Sequence, residues 1–178
     1  MLVELGDQTP LRARMVGWPR RVRDAELVGA KSAWLKTRRL HDPILGEFAY
    51  DERLDWFETD LPWRGRKVRL SFGAVDEAAG SEALVQVHQL LDDQERVNRR
   101  IEDAMVAQML PLWNENWRDE NETPLAREAF LQAVQLESMT VDEDYVAFYF
   151  DDGGLFGHHT IEVSWQQDTD EWDVGLGG

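Results

Sequence analysis

The residues best suited to chemistry lie close together near the end of the chain, in residues 151–162, DDGGLFGHHTIE. Two adjacent carboxylates, Asp151 and Asp152, precede a glycine turn, and His158 and Glu162 follow it. Carboxylate oxygens and imidazole nitrogens are common metal ligands, and an imidazole beside a carboxylate can act as a general base. One hypothesis is therefore a metal-assisted hydrolase that uses His158, Glu162, Asp151 and Asp152.

The order of the two histidines supports a different interpretation of the same stretch. If they begin the strand predicted up to Trp165, His158 and His159 point to opposite faces, because successive side chains of a strand alternate. His158 then aligns with Glu162, whereas His159 aligns with the apolar face at Ile161. We favour this second interpretation, in which the stretch supplies a turn and part of the core, and we keep the hydrolase as the alternative.

Other sequence motifs of catalysis are missing from the chain. The sequence has no glycine-rich phosphate loop, no HExxH, no GxSxG and no dinucleotide-binding fingerprint. It has no cysteine, so it has neither a thiol nucleophile nor a cysteine ligand for zinc. We therefore expect a protein that is not an enzyme and that needs no cofactor.

Charge is distributed unevenly along the 178 residues, whose formal net charge is −16. Residues 1–40 hold nine Lys/Arg and four Asp/Glu, whereas residues 41–178 hold ten and 31. An acidic body of this kind repels nucleic acid and anionic membranes, whose binding depends on cationic side chains. It is consistent with simple solubility, and it also favours a basic protein partner, which is the function we expect.

The remaining composition points to a folded cytoplasmic protein. Hydrophobic residues make up 43% of the chain, and eight tryptophans can each bury a large area. No apolar run approaches the length of about 20 residues that spans a bilayer. The first residues lack the basic and apolar regions of a signal peptide. The sequence leaves the oligomeric state open.

Residues 41–72 are the part around which the fold is expected to form. Three runs alternate with a period of two, separated by turns at Asp51-Glu52 and at Pro62 and Arg64-Gly65, and predict a three-stranded meander. The apolar members of these runs are Phe48 and Tyr50, then Leu54 and Trp56, then Val68, Leu70 and Phe72.

Helices are expected in the middle of the chain, over residues 81–133 approximately. Ser81 is the predicted N-cap of an amphipathic helix with a break at residues 92–95, Pro111 ends or restarts it, and Thr123-Pro124 begins another. Alternating runs then predict strands at residues 137–142, 145–150, 160–165 and 172–174. Strands, helices and strands in this order predict a single α+β domain, with an antiparallel sheet and the helices packed on one face.

A separate prediction concerns the basic N-terminal segment, residues 1–40. Its residues 11–16 alternate as an edge strand does, Arg20, Arg21 and Arg23 form a basic cluster, and a further strand is expected from Ser32. We expect the segment to dock on the acidic body. A nucleic-acid arm is the alternative, and it is less favoured because Trp18 is the one aromatic residue beside these arginines.

Two stretches resemble a bacterial family of uncharacterised proteins. The segment HDPILGEFAYDERLDWFETDLPWRGRKVRLSF is similar to its Pro-x-Leu-Gly entry and aromatic hairpin, and LFGHHTIEV to its Phe-x-Gly-His-x-Ile-x-Val element. If His159 is the family histidine, His158 replaces the preceding glycine. The resemblance covers residues 41–165 and implies no catalytic residues. It also implies an association with toxin–immunity systems, which would make the protein an immunity-like binding module.

Overall fold

The computed structural model of the chain describes residues 40–74 and 77–177. The predictions made for residues 1–39, namely the edge strand, the basic cluster and the docking of this segment, lie outside the described residues. The strands are β1 (Leu40–Asp42), β2 (Gly46–Asp51), β3 (Trp56–Trp63), β4 (Arg66–Phe72), β5 (Gln135–Val141), β6 (Tyr145–Asp151), β7 (Thr160–Gln166) and β8 (Glu171–Gly177). The helices are α1 (Glu77–Asp92), α2 (Gln94–Leu112) and α3 (Arg127–Ala133), with a π-helical turn (Trp113–Trp117) between α2 and α3.

All eight strands form one sheet in which spatial neighbours are also neighbours along the chain. The α+β class with one sheet is thereby confirmed. The sheet is not wholly antiparallel, however, because β4 and β5 pair in parallel. The helices occupy the connection between these two strands, and a long connection of this kind lets the chain return and run in the same direction.

The core lies on the face of the sheet defined by alternate residues of each strand. Val146, Phe148 and Phe150 of β6 lie opposite Trp165, Val163 and Ile161 of β7, and this register brings both rows to the same face. These strand residues belong to one buried cluster with helix residues such as Val87, Ile101 and Met105. We call this side of the sheet the core face. Strand β6 is buried on its other side too at Ala147, as its apolar sequence predicts.

The meander of residues 41–72 forms strands β2 to β4, with two corrections to its expected details. Leu54 lies in the β2–β3 turn and is 51% exposed, so it is not part of a strand. The buried face of β3 instead carries Phe57, Leu61 and Trp63. Pro62 is also inside β3, opposite Lys67. This position is tolerated because β2 pairs with β3 only at residues 56–58, so that none of the described strands lies on the other side of Pro62 to require its missing N–H.

The long helical region is divided at the predicted break, since α1 ends at Asp92 and α2 begins at Gln94. Ser81 is not the N-cap, because α1 already begins at Glu77. Ala78 and Ala79 are strong helix formers and extend the helix toward the N-terminus. No described helix has the length and apolar composition needed to cross a lipid bilayer.

Pro111 neither ends nor restarts the helix but lies within the last turn of α2. Its ring nitrogen cannot donate a backbone hydrogen bond, so the helical bonding is perturbed at this point. The next five residues widen into the π-helical turn, in which the Arg118 N–H donates to the Trp113 carbonyl at 2.9 Å.

The expected N-cap pair Thr123-Pro124 is also wrong. Helix α3 begins at Arg127, with Ala126 at its N-cap. The physical reason is a pair of bonds to the Asn114 side chain: the Leu125 N–H donates to Oδ1 at 2.8 Å, and Nδ2 donates to the Leu125 carbonyl at 3.1 Å. These bonds hold the backbone of Leu125 against the π-helical turn, so the helix starts two residues after Leu125, at Arg127.

Candidate functional site

The candidate residues at 151–162 lie on three different parts of the fold. Asp151 is the last residue of β6, Asp152 and His158 belong to the loop that follows, and Glu162 lies within β7. Strand β7 begins only at Thr160, so neither His158 nor His159 is on a strand. The expected alternation of the two histidines therefore does not apply.

Asp152 organises the loop between β6 and β7. Its side chain is almost fully buried, with 1% of the residue exposed. Oδ1 accepts a hydrogen bond from the Gly154 N–H at 2.8 Å, and Oδ2 accepts from the N–H groups of Phe156 at 2.7 Å and His158 at 3.0 Å. A carboxylate that accepts three backbone bonds stabilises one loop conformation strongly, and this gives Asp152 a structural role.

Backbone geometry explains the glycines of this loop. Gly153 has φ +61°, and a Cβ atom built at Gly153 would lie 2.3 Å from the Ala133 carbonyl oxygen at the end of α3. Gly154 and Gly157 also have positive φ, a region that costs other residues about 1–2 kcal/mol. His158 itself has φ +67°. The loop is a tight structural turn against α3.

The two tryptophans of the π-helical turn hold the same loop. Trp113 Nε1–H donates to the Leu155 carbonyl at 3.1 Å, and the ring of Trp117 meets the ring of Phe156 edge-on at 5.5 Å. Trp117 also contacts the His159 ring at 5.8 Å, while His159 Nδ1–H donates to the carbonyl of Phe156. Both tryptophans thus connect the π-helical turn to the β6–β7 loop.

These positions give the hydrolase hypothesis no support. In residues 40–74 and 77–177, no group of three or more His, Asp or Glu side chains is placed to hold a metal ion. Asp152 and His158 are brought together, but through the backbone N–H of His158 rather than its imidazole. Asp151 is likewise bonded to the Gly153 N–H at 2.9 Å.

Glu162 belongs to a different cluster, on the side of the sheet opposite the core face. We call this side of β4–β8 the polar face. Its residues alternate with those of the core, and the strand register aligns them. They include Ser71, Ser138, Thr140, Tyr145, Ala147, Tyr149, Glu162, Ser164 and Asp173, and Arg69 of β4 lies on the same side opposite Ser138.

The centre of the polar face is a hydrogen-bonded row. Ser71 and Thr140 are buried, and their hydroxyl oxygens lie 3.0 Å apart. Tyr149 continues the row and lies directly opposite Glu162 on β7. Burial raises the pKa of Tyr149 to about 12, with smaller contributions from Glu162 and Tyr145, although a hydrogen bond with Thr140 acts in the other direction. Tyr149 is therefore a neutral phenol at pH 7.

Glu162 is half-buried beside a second carboxylate. Burial raises the pKa of Glu162, and the negative charge of Asp173 on β8 raises it further. No ion pair reaches either carboxylate from the part of the chain that the structure describes. The sequence explains this lack of cations, because Arg127 is the last basic residue and β5–β8 contain no lysine or arginine. The ionised Glu162 is thus electrostatically disfavoured until a cation approaches it.

Two features of this geometry were not predicted from the sequence. Alternation in β7 places Glu162 on the outer side with Ser164, but its proximity to Tyr149 and Asp173 depends on strand register. The second feature is a hydrogen bond between His88 of α1 and Asp42, with 2.8 Å between Nε2 and Oδ2. His88 looks like an ordinary helix-surface residue, and no local pattern connects it with a residue 46 positions earlier.

Comparison with known proteins identifies a family but no characterised relative. No curated protein and no solved structure matches the chain. The bacterial family described as "Uncharacterized protein conserved in bacteria (DUF2262)" matches residues 42–174, which is most of the chain and includes the polar face of β4–β8 and the loop at Asp152. The chain therefore belongs to this family of uncharacterised bacterial proteins.

Proposed function

We propose that this chain is a non-enzymatic binding module whose polar face binds a basic protein partner. The observation that carries the proposal is the half-buried Glu162 beside the exposed Asp173. Neither carboxylate has a cationic partner among the described residues, and burial together with the charge of Asp173 raises the pKa of Glu162. An arginine or lysine of a partner would relieve this electrostatic strain. For this contact the protein supplies the Glu162 carboxylate, which is already partly desolvated and is held in place by β7.

The side chains around this pair suit an arginine-rich surface. Carboxylates form charge-assisted hydrogen bonds with guanidinium groups, and the rings of Tyr145 and Tyr149 can contact the flat face of a guanidinium. Tyrosine is also enriched at protein interfaces because it combines a large apolar area with a hydroxyl group. The absence of lysine and arginine from β5–β8 means that a basic partner meets no like charge on these strands.

The position of the helices also supports the proposal that a partner binds at the polar face. Buried residues of α1, α2 and α3, such as Val87, Ile101 and Phe130, belong to the cluster that includes the core face. We infer that the three helices pack on that face and leave the polar face of the described residues accessible to a partner. A basic toxin is one class of protein that such a face could neutralise.

The test is a comparison of three full-length proteins used as bait in a lysate of the bacterial host. The first is the unaltered chain, the second carries Glu162→Lys and Asp173→Lys, and the third carries the control changes Glu115→Lys and Glu128→Lys on the helical side. The net charge changes equally in both variants. We expect the unaltered chain and the control to retain the same basic protein, and the polar-face variant to lose it.

The retained protein is then purified and titrated at increasing salt. We expect its affinity for the polar-face variant to be at least tenfold weaker, and its affinity for the unaltered chain to fall as salt rises. Equal affinity for both variants would show that the partner binds elsewhere. Absence of any retained basic protein at physiological salt would contradict the proposal as a whole.

A further inference from the structure

A groove between α1 and two strand turns forms a second surface, distinct from the polar face. Cavities of ≈ 500 Å³ and ≈ 230 Å³ adjoin here and share Gln86, Gln89 and Gln167. The turn between β5 and β6 forms one wall at Glu143, and the turn between β7 and β8 contributes Gln167. The Gln167 N–H donates to the Asp144 carbonyl at 3.3 Å and joins the two turns.

The groove combines apolar and acidic parts. Val85 of α1 is 56% exposed and gives the groove an apolar side chain. Leu90, Val97 and Trp165 line the smaller cavity. Glu82 adds a carboxylate to the rim. An extended segment with both apolar and basic side chains would complement this lining.

The cations already present near the groove are engaged with other carboxylates. Arg96 binds Asp93 at 2.7 Å, and Arg100 binds Asp170 at 2.8 Å. Neither arginine has an ion pair with Glu82. The groove therefore keeps an acidic character despite the arginines of α2.

One buried polar atom in the groove has no hydrogen-bond partner among the described residues. Gln86 Nε2 donates to the Glu143 carbonyl at 3.4 Å, whereas Gln86 Oε1 is enclosed and accepts no hydrogen bond from the described residues. Buried acceptors without a donor are rare, and each indicates a missing partner. A donor from a bound segment, such as an arginine N–H or a backbone N–H, would satisfy Oε1.

We propose that residues 11–23 of this same chain bind in this groove. The segment LRARMVGWPRRVR contains five arginines and no acidic residue, and it also contains Leu11, Met15, Val16 and Trp18. It thus supplies cationic side chains for the carboxylates of the groove and apolar side chains for its apolar lining. The chain before β1 is long enough to reach the groove, because each extended residue spans about 3.3–3.6 Å. This intramolecular site is independent of partner binding at the polar face.

The test is photo-crosslinking in the full-length chain. Benzoylphenylalanine replaces Val85, the protein is irradiated, and the linked peptides are identified by mass spectrometry after cleavage at glutamate. We expect links to residues 11–23. The same label at Gln108, an exposed position of α2 outside the groove, is the matched control and should give no such links.

Two further measurements make the result decisive. Glu82→Lys should reduce the yield of the Val85 link at least threefold while leaving the circular dichroism spectrum unchanged. An equal mixture of heavy and light isotope-labelled protein should give links only within one copy. Links between heavy and light chains would assign the groove to a second copy, and absence of links to residues 11–23, or an equal yield from Gln108, would overturn the proposal.

Discussion

His88 of α1 lies with its Nε2 atom 2.8 Å from Oδ2 of Asp42, and this bond joins the first helix to the end of β1. The other carboxylate oxygen of Asp42 accepts bonds from the N–H groups of Ile44 and Leu45, both at 2.8 Å. Burial alone would raise the pKa of Asp42, but the bonds from His88 and from the Leu45 and Ile44 N–H groups outweigh it. The pKa of Asp42 therefore lies below its ordinary value.

The first prediction concerns how the stability that the Asp42 bonds provide changes as the pH falls. Because the folded-state pKa of Asp42 is lowered, its bonds stabilise the fold above the unfolded-state pKa of about 3.9 and are lost as the pH falls through the folded value. Asp42→Asn should lower the free energy of unfolding at pH 7 by about 1.5–3 kcal/mol, and the deficit should shrink toward pH 3. Urea titrations at both pH values measure it.

A matched control for Asp42 is Asp103→Asn. Asp103 pairs with Arg127 at 2.7 Å, but its side chain is 66% exposed. An exposed pair contributes about 0–1 kcal/mol, so the control should change little. If the two substitutions reduce stability equally, the burial of Asp42 is not what makes its pair important.

Glu162 should show the opposite dependence on pH. Its folded-state pKa is raised, so the ionised carboxylate lowers stability as the pH rises through that value. Glu162→Gln should therefore increase the free energy of unfolding at pH 7, with the difference vanishing as the pH falls below about 4. Urea unfolding of both proteins across this range measures the sign, and a less stable variant at pH 7 would contradict the argument.

Asp152 and Asp151 are adjacent in the chain, but the first carboxylate is buried and the second is exposed, so their substitutions can be compared directly. Asp152→Ala removes an acceptor from three backbone N–H groups and should cost about 3 kcal/mol or more, because buried donors are left without partners. Asp151→Ala removes one exposed bond and should cost about 1 kcal/mol or less. Midpoints of chemical denaturation give the comparison, and similar losses would mean that the loop does not depend on Asp152.

The two adjacent glycines of the same loop test the contact with α3. Gly153→Ala and Gly154→Ala both place a side chain at positive φ, which costs about 1–2 kcal/mol. Only the first also brings a Cβ atom against the Ala133 carbonyl, and overpacking adds about 1–3 kcal/mol. Thermal or denaturant unfolding should therefore rank Gly153→Ala as clearly less stable, and equal values would show that α3 can move aside.

The sequence alone determined the features that depend on local periodicity and composition. The alternation at Val68, Leu70 and Phe72 correctly predicts β4, and the helical stripe with its break at residues 92–95 correctly predicts two helices. The α+β class follows from their order. Such features can be read from the chain because side chains project with a period of two in strands and 3.6 in helices.

Other features were decided only by the tertiary structure, because they join residues that are distant in the chain. The Asn114 side chain displaces the start of α3 from Thr123-Pro124. The pairing of β4 with β5 in parallel sets the register of the polar face, and the same sheet brings Glu162 beside Tyr149 and Asp173. Side-chain directions within β4 and β7 were predictable from the sequence, but the neighbours that each side chain meets were set by strand register and by the packing of the helices.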